Sequence, residues 1–252
     1  MKLCGAKRRI CFKYGREFSP FGGNEVIDPA PNPNYSTHAV FQHLWYAKYL
    51  GLDGADEVKF TLPPVSEETK CKVDELLKDI DHSKPTVVIA PATTRKLKHW
   101  NKDNWKEVVN AIKDDCNLVF TGGNGDKELI SYISENKYLN LAGKTNIRDL
   151  IEIFSRSTLV MAPDSGSAHV ARATNIPAVI SIFCCTPSTM YGPFGDDEKY
   201  FAVSGKLKCQ HCHNTRKCPL EGKDAEQCVN FPRPEEIINI VNKILQNYKH
   251  SV

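Results

Sequence analysis

The chain has 252 residues, of which 41% are hydrophobic and 25% charged, with a formal net charge of +3 from 33 basic and 30 acidic side chains. These values are typical of a globular protein with one large or two small domains. The weak positive charge argues against a nucleic-acid partner but is compatible with anionic substrates. The basic start is not followed by an apolar run, and no stretch is long enough to span a bilayer, so we expect a cytoplasmic protein.

The first part of the chain predicts few regular elements. Residues 9–14 indicate a short strand, and residues 15–34, rich in Gly, Pro and Asn, indicate an irregular loop. Apolar residues recur at helical spacing over 38–50, and Gly51 follows as a C-terminal stop. Residues 58–62 indicate a short extended piece. A second helix is predicted to begin at Ser66, with two glutamates in its first turn.

From residue 85 onward, predicted strands and helices alternate. Strands are predicted at 86–90, 117–121, 139–141, 158–161 and 178–182, and helices at 105–112, 127–134, 146–155, 168–174 and 234–248. Trp100 and Trp105 are predicted to anchor the packing of the core or of a helix. Alternation at this spacing predicts right-handed βαβ units and a doubly wound parallel α/β sheet. Ligands of such sheets bind beyond the carboxyl ends of the strands, so the loops that follow the strands should share one edge.

The segment 160–171 is the most informative part of the sequence. An apolar run stops at Pro163, and Asp164, Ser165 and Gly166 form a turn before a helical pattern begins. Such a turn presents free backbone N–H groups at the positive end of a helix, which suits a phosphate. A plain N-cap uses the same residue types, and the two interpretations are compatible because a cap also fixes the loop. Asp164 suits ribose, sugar hydroxyls or loop ordering better than a diphosphate, because like charges repel.

Further candidates lie in the neighbouring loops. The ammonium of Lys98 has the chemistry to stabilise a departing diphosphate, although composition alone also allows a solvated lysine. His169 is able to donate a hydrogen bond to phosphate, but a histidine on a helix near a core is about as often structural. The remaining candidates for donor binding are in three other loops: Thr121, Gly122, Gly123, Asn124, Thr145 and Thr186.

The end of the chain carries a cluster of cysteines and a group of basic residues. The cysteines have the ligand type of a structural zinc site, with two histidines as substitutes: Cys209, Cys212, Cys218, Cys228, His211 and His213. Their spacing is irregular for a zinc ribbon, so an unmetallated thiol cluster and a disulfide remain alternatives. The basic residues suit an anionic glycolipid or a membrane surface, or are simply solvated: Lys206, Lys208, Arg216 and Lys217.

Taken together, these loops resemble the heptosyltransferase family of bacterial lipopolysaccharide glycosyltransferases, also called glycosyltransferase family nine. The matching pieces follow the family's order: Ala-Pro-Ala at 90–92, Lys-His-Trp at 98–100, Gly-Gly-Asn at 122–124, Leu-Ala-Gly-Lys-Thr at 141–145, Asp-Ser-Gly-Ser-Ala-His at 164–169 and Tyr-Gly-Pro-Phe-Gly at 191–195. The cysteine cluster also looks like the family's tail. Cys184 and Cys185 depart from the family, which commonly has a Gly-containing turn at this place.

The resemblance implies the GT-B architecture, in which two Rossmann-like domains face each other across a cleft. Residues 1–65 are then a remnant of the acceptor-side domain, 66–84 a linker helix, 85–233 the Rossmann-like domain that binds the nucleotide-sugar donor, and 234–252 a C-terminal helix. The first part of the amino-terminal domain, which carries the family's catalytic base, is expected to be missing. No residue of this chain is therefore assigned as the general base.

The resemblance also implies a function. The protein is expected to be an inverting glycosyltransferase that moves a heptose-like sugar from a nucleotide-diphosphate donor, ADP-heptose by resemblance, to a lipopolysaccharide core acceptor. No cofactor is expected to be required for catalysis, and Lys98 is the implied catalytic cation. The alternative is a catalytically incomplete fragment that binds the nucleotide sugar without turnover. The resemblance places the protein in the cytoplasm, with peripheral contact at the inner face of the cytoplasmic membrane.

Overall fold

The computed structural model describes residues 5–13, 23–28, 37–54, 57–175, 178–195, 198–205, 207, 209, 212 and 218–249. The chain divides into two units, Met1–Phe60 and Thr61–Val252. The first unit contains strands β1 (Ile10–Phe12) and β2 (Glu25–Ile27), which pair in parallel, and helix α1 (Ala39–Tyr49). Gly51 follows α1 with a φ of 68°, which confirms the stop predicted from the sequence.

The second unit is a doubly wound α/β unit. In chain order, its described elements are α2 (Glu67–Leu76), β3 (Thr86–Ile89), α3 (Lys102–Ile112), β4 (Asn117–Phe120), α4 (Lys127–Ser134), β5 (Leu139–Asn140), α5 (Ile147–Ser155), β6 (Leu159–Pro163), α6 (Gly166–Ala173), β7 (Ala178–Phe183), α7 (Ser188–Tyr191), β8 (Tyr200–Ser204) and α8 (Pro234–Lys249). Within the described residues, six strands form one parallel sheet in the order β5-β4-β3-β6-β7-β8. The predicted doubly wound parallel sheet is therefore confirmed.

The core of the second unit lies on both faces of this sheet, because successive side chains of a strand point to opposite sides. Val87 and Ile89 belong to the cluster that includes side chains of α3, α4 and α8. Val88, between them, belongs to the cluster that includes side chains of α2, α5 and α6. Trp105 is fully buried and packs edge-on against Trp100, with 5.0 Å between ring centroids. Both tryptophans are thus core anchors, as predicted.

Two short strands and one short α-helix were missed by the sequence patterns. Strand β2 falls inside the predicted irregular loop, and neither β8 nor the four-residue helix α7 was predicted. Residues 58–62, predicted as a short extended piece, belong to no strand. A strand of three residues gives no readable alternation, and β8 lies at the edge of the sheet, where only one side is paired. Such elements depend on neighbours that are distant in sequence.

The predicted linker helix lies within the second unit. Helix α2 contributes Val73 to the same buried cluster as Phe154 of α5, and the Nζ of Lys72 lies 2.5 Å from Oδ2 of the buried Asp149. Helix α8 contacts α3 of the same unit. The contacts divide the chain after Phe60, whereas the predicted domain boundaries at 65, 84 and 233 stay predictions.

Candidate functional site

A large cavity lies at the carboxyl edge of the parallel sheet, where the loops after β3, β4 and β6 meet. Its volume is about 810 Å³, within the range of small-molecule sites in proteins. The predicted site residues that line it are Lys98, Thr121, Gly122, Gly123, Asp164, Ser165, Gly166 and His169. The structure therefore brings eight of the predicted residues to one cavity. It does not place Asn124, Thr145 or Thr186 on the cavity wall.

The start of α6 forms one wall of the cavity. Ser165 is the N-cap residue and is extended, with φ −151° and ψ 167°, but its side chain makes no cap hydrogen bond. Its Oγ is buried and has no hydrogen-bond partner among the described residues. The first N–H groups of a helix also lack intrahelical partners, and they carry the positive end of the helix dipole. This wall therefore offers donors to an anion.

Lys98 faces the start of α6 from the loop that follows β3. It ends the 3₁₀ turn Lys96–Lys98, and its Nζ lies 2.6 Å from Oδ2 of Asp164. Its side chain is 20% exposed, whereas that of Asp164 is 6% exposed. The hydroxyl of Thr186 donates to the same Oδ2 of Asp164 at 2.7 Å. Asp164 thus orders the loops around Lys98, which is one of the roles that the sequence favoured for it.

The loop after β4 brings a backbone surface to the cavity. Thr121 is buried, and its Oγ1 has no hydrogen-bond partner among the described residues. A Cβ at Gly122 would lie 3.0 Å from the side chain of Asp126, so the loop approaches this side chain closely. The N–H of Gly123 donates to Oδ2 of Asp126 at 2.7 Å. The carboxylate of Asp126 therefore fixes this loop while also lining the cavity.

Asn124 and Thr145 are the predicted residues of this region that lie outside the cavity wall. The Asn124 side chain lies against Gly143, where a Cβ would come within 2.0 Å of Asn124 Oδ1. Gly143 has a φ of 73°, so the sharp turn of its loop also requires a glycine. Asn124 therefore packs two loops together. Thr145 immediately precedes Asn146, the residue that caps α5.

Several cavity residues were missed by the sequence analysis. Thr93 and Thr94 lie in the loop before Lys98, and Ser167 follows Gly166. The Oγ1 of Thr93 donates to the backbone oxygen of Asp164 at 3.4 Å. One part of the wall is apolar, with side chains of Ile147, Leu150, Val170 and Tyr191. The signal that could have found the threonines was their position directly after a buried strand.

The cysteines form a separate cluster beside the loop that follows β7. Five of them line a small cavity of about 10 Å³: Cys185, Cys209, Cys212, Cys218 and Cys228. Burial, and then the nearby Cys212, raise the pKa of the Cys185 thiol to about 11. Burial and the other thiols raise the pKa of Cys228 to about 12. The thiols of Cys185 and Cys228 are therefore neutral at ordinary pH.

The predicted zinc site is not supported. Within the described residues, no group of three or more His, Cys, Asp or Glu side chains is arranged to hold a metal ion. Cys218 Sγ accepts a hydrogen bond from the N–H of Glu226 at 3.3 Å. The predicted substitutes His211 and His213 lie outside the described residues, as do the basic residues Lys206, Lys208, Arg216 and Lys217. Among the helices that the structure describes, none is long and apolar enough to cross a membrane.

The parallel sheet, the helix start and the cationic side chain at one edge define a Rossmann-like α/β unit with a cavity at the carboxyl edge of its sheet. Comparison with known families shows to which class of protein this α/β unit belongs. The chain belongs to glycosyltransferase family 9 (heptosyltransferase), whose family model matches residues 4–223. The resemblance seen in the sequence is thereby confirmed.

The comparisons also fix how much of such a protein this chain spans. It is 28% identical over 181 residues to the lipopolysaccharide core heptosyltransferase OpsX of Haemophilus influenzae, an alignment covering 69% of this chain and 51% of that protein. The solved structure of Escherichia coli ADP-heptose lps heptosyltransferase II matches with a TM-score of 0.62 and 18% identity, covering 97% of this chain and 72% of that one. Escherichia coli heptosyltransferase WaaC with ADP matches with a TM-score of 0.57 and 16% identity, covering 90% and 62%.

These likenesses confirm the predicted fold class. The structural neighbours are GT-B heptosyltransferases, and this chain covers part of each of them. The chain spans about half the length of curated relatives that it matches, 51% of OpsX and 49% of the lipopolysaccharide heptosyltransferase 3 of Escherichia coli. Membership of this family places the chain among the glycosyltransferases.

Proposed function

We propose that the cavity binds the nucleoside diphosphate of a sugar donor, with the diphosphate between Lys98 and the start of α6. The observation that supports this most strongly is a pair of buried hydroxyls without hydrogen-bond partners among the described residues, Ser165 Oγ and Thr121 Oγ1. Buried polar groups are almost always hydrogen-bonded, and two such hydroxyls beside one cavity are able to bond a polar ligand there. Both belong to residues that line the same cavity as Lys98.

The chemistry of the walls fits the parts of such a donor. Lys98 and the N–H groups of α6 supply positive charge for a diphosphate. The apolar side chains of Ile147 and Leu150 offer a surface for a planar base, and Ile147 is 56% exposed. An adenine base is proposed because one neighbour was solved with ADP and another is an ADP-heptose transferase.

In the proposed reaction, the donor transfers a heptose-like sugar to a lipopolysaccharide core acceptor with inversion. An acceptor hydroxyl attacks the anomeric carbon from the side opposite the diphosphate, the bond between the carbon and the diphosphate oxygen breaks, and the hydroxyl proton passes to a general base. Lys98 and the start of α6 stabilise the charge that develops on the departing ADP. This role requires no cofactor. Any contact with the inner face of the cytoplasmic membrane belongs to the same proposal, through the acceptor.

A second candidate function is binding of the nucleotide sugar without transfer. The observation that favours it is that both carboxylates lining the cavity in the described chain have structural partners. Asp164 is bonded to Lys98 and Thr186, and Asp126 to the N–H of Gly123. Neither is therefore placed as a free general base. ADP release from ADP-heptose, measured with and without a lipopolysaccharide core acceptor, separates the two candidates.

Calorimetric titration tests the proposed site. ADP is expected to bind more tightly than AMP, and Lys98→Met is expected to weaken ADP binding about 10- to 100-fold, because a charge-assisted hydrogen bond is lost. Lys113→Met is the matched control, since Lys113 is an exposed lysine at the C-terminal end of α3. It should bind ADP as the unaltered protein does. An ADP affinity that is unmeasurable in the unaltered protein, or equal in all three proteins, would refute the site.

A further inference from the structure

Thr186 was predicted as a candidate for donor binding, but it does not line the cavity. Its side chain is 3% exposed, and its hydroxyl donates to Oδ2 of Asp164. The two residues come from adjacent strands, since Asp164 follows β6, Thr186 follows β7, and the N–H of Asp164 donates to the carbonyl oxygen of Ile182 at 3.0 Å. The pairing of β6 with β7 therefore fixes the distance between the hydroxyl and the carboxylate.

The same carboxylate oxygen also receives Lys98. Its two partners, the Thr186 hydroxyl at 2.7 Å and the Lys98 ammonium at 2.6 Å, make it a shared acceptor. The last torsion of an aspartate has broad wells and is not fixed by its own stereochemistry. A buried hydroxyl that donates to one oxygen selects a single orientation of the carboxylate. The orientation selected here directs Oδ2 toward Lys98.

We propose that Thr186 is a positioning residue, which acts through Asp164 to hold the Lys98 ammonium at the cavity wall. The inference rests on the proposed function, because it takes Lys98 as the residue that binds the diphosphate of a nucleotide donor. Thr186 itself does not touch the nucleotide. The backbone of Asp164 is held independently of Thr186. Its N–H donates to the carbonyl oxygen of Ile182, and its carbonyl oxygen accepts a hydrogen bond from the hydroxyl of Thr93. Loss of the Thr186 hydroxyl therefore releases the carboxylate and leaves its backbone in place.

A double-mutant cycle with ADP tests this inference. Thr186→Val removes the hydroxyl at nearly constant volume and is expected to weaken ADP binding about tenfold, the equivalent of one hydrogen bond. In a Lys98→Met background the same substitution should change ADP affinity less than about twofold, because the group that it positions is gone. Thr186→Ser, which keeps the hydroxyl, should restore affinity. An equal loss in both backgrounds overturns the proposal and assigns Thr186 a purely structural role.

Chemical labelling of Lys98 gives a readout that needs no nucleotide. Acetic anhydride at fixed pH, followed by peptide mass spectrometry, is expected to label Lys98 several-fold faster in Thr186→Val than in the unaltered protein, with Lys113 labelled equally in both. Thr158→Val is the matched control, since Thr158 is also a buried threonine with a hydrogen-bonded hydroxyl. Its Oγ1 accepts a hydrogen bond from the N–H of Thr86. It should leave the labelling of Lys98 unchanged.

The two experiments fail separately. If the unaltered protein binds no ADP, the proposed function fails, and the labelling rates still decide whether Thr186 positions Lys98. If ADP binds but Lys98 is labelled at the same rate with and without the Thr186 hydroxyl, the positioning role fails and the donor site stands. Thermal unfolding of each variant identifies a loss of ADP affinity that comes only from misfolding.

Discussion

The two units of the chain contain the same kinds of element but differ in how deeply those elements are buried. Every residue of β7 in the second unit is buried, and helix α3 buries Trp105, Val108, Val109 and Ile112. Helix α1 in the first unit has eleven residues, as α3 has, yet none of them is buried. A helical pattern in the sequence therefore predicts that a helix forms, but not how much of it is covered. The comparison predicts that the cost of a substitution depends on its unit.

The largest effect is expected from truncating a leucine in the core of the second unit. Leu159 of β6 is fully buried, and it pairs in register with Val87 and Ala178 of the neighbouring strands. Leu159→Ala should lower the free energy of unfolding by about 2–5 kcal/mol, through lost burial and the cavity left behind. Denaturant unfolding monitored by circular dichroism measures it. A loss below about 1 kcal/mol would mean that this sheet is not the tightly packed part of the molecule.

The alkylation rates of the thiols give a second comparison of the two units. The raised pKa of Cys185, about 11, keeps its thiol protonated and unreactive until the pH approaches that value. At pH 8 its alkylation by iodoacetamide should be about 100-fold slower than that of an ordinary thiol, and the difference should shrink as the pH rises. Mass spectrometry of the peptides measures it, with the exposed Cys71 as reference.

Cys11 makes the same experiment a test of the first unit. It is buried in β1, but β1 and β2 are only three residues long each, and the sheet they form has two strands among the described residues. Because so small a sheet opens more readily than a six-stranded one, we expect Cys11 to be alkylated faster than Cys185. The opposite order would contradict the difference between the units.

The sequence predicts the fold of the second unit more completely than that of the first. The alternation of buried strands and amphipathic helices predicted the sheet of the second unit, and the rule for parallel sheets predicted that Lys98 and Ser165 would share a cavity. The sequence could not show that Thr186 points at Asp164, because the two residues are 22 apart and meet only through the pairing of β6 with β7. It could not show that Asn124 packs on Gly143, which depends on the path of two loops.

An intermediate effect is expected from an ion pair in the second unit. Lys72 of α2 pairs with Asp149 of α5, whose carboxylate is 1% exposed and also accepts the N–H of Asn146. Lys72→Met leaves a buried carboxylate without its cation and should cost about 1–3 kcal/mol of unfolding free energy. The matched substitution in the first unit is Arg8→Met, which removes the exposed pair with Glu25. It should leave the unfolding curve unchanged, and an equal loss in both variants would remove the distinction between the units.

The smallest effect is expected from the leucine substitution repeated in the first unit. Leu52 follows α1 and is 56% exposed, and its backbone N–H closes the end of the helix by donating to Ala47 O at 3.0 Å. Leu52→Ala keeps that backbone bond and Gly51, so the helix end is preserved and the change should lie within about 0.5 kcal/mol of zero. The chemistry removed is identical to that in Leu159→Ala, so the two unfolding curves differ only through burial. A loss of about 2 kcal/mol or more at Leu52 would show that this surface is covered in solution, and the contrast between the units would then be wrong.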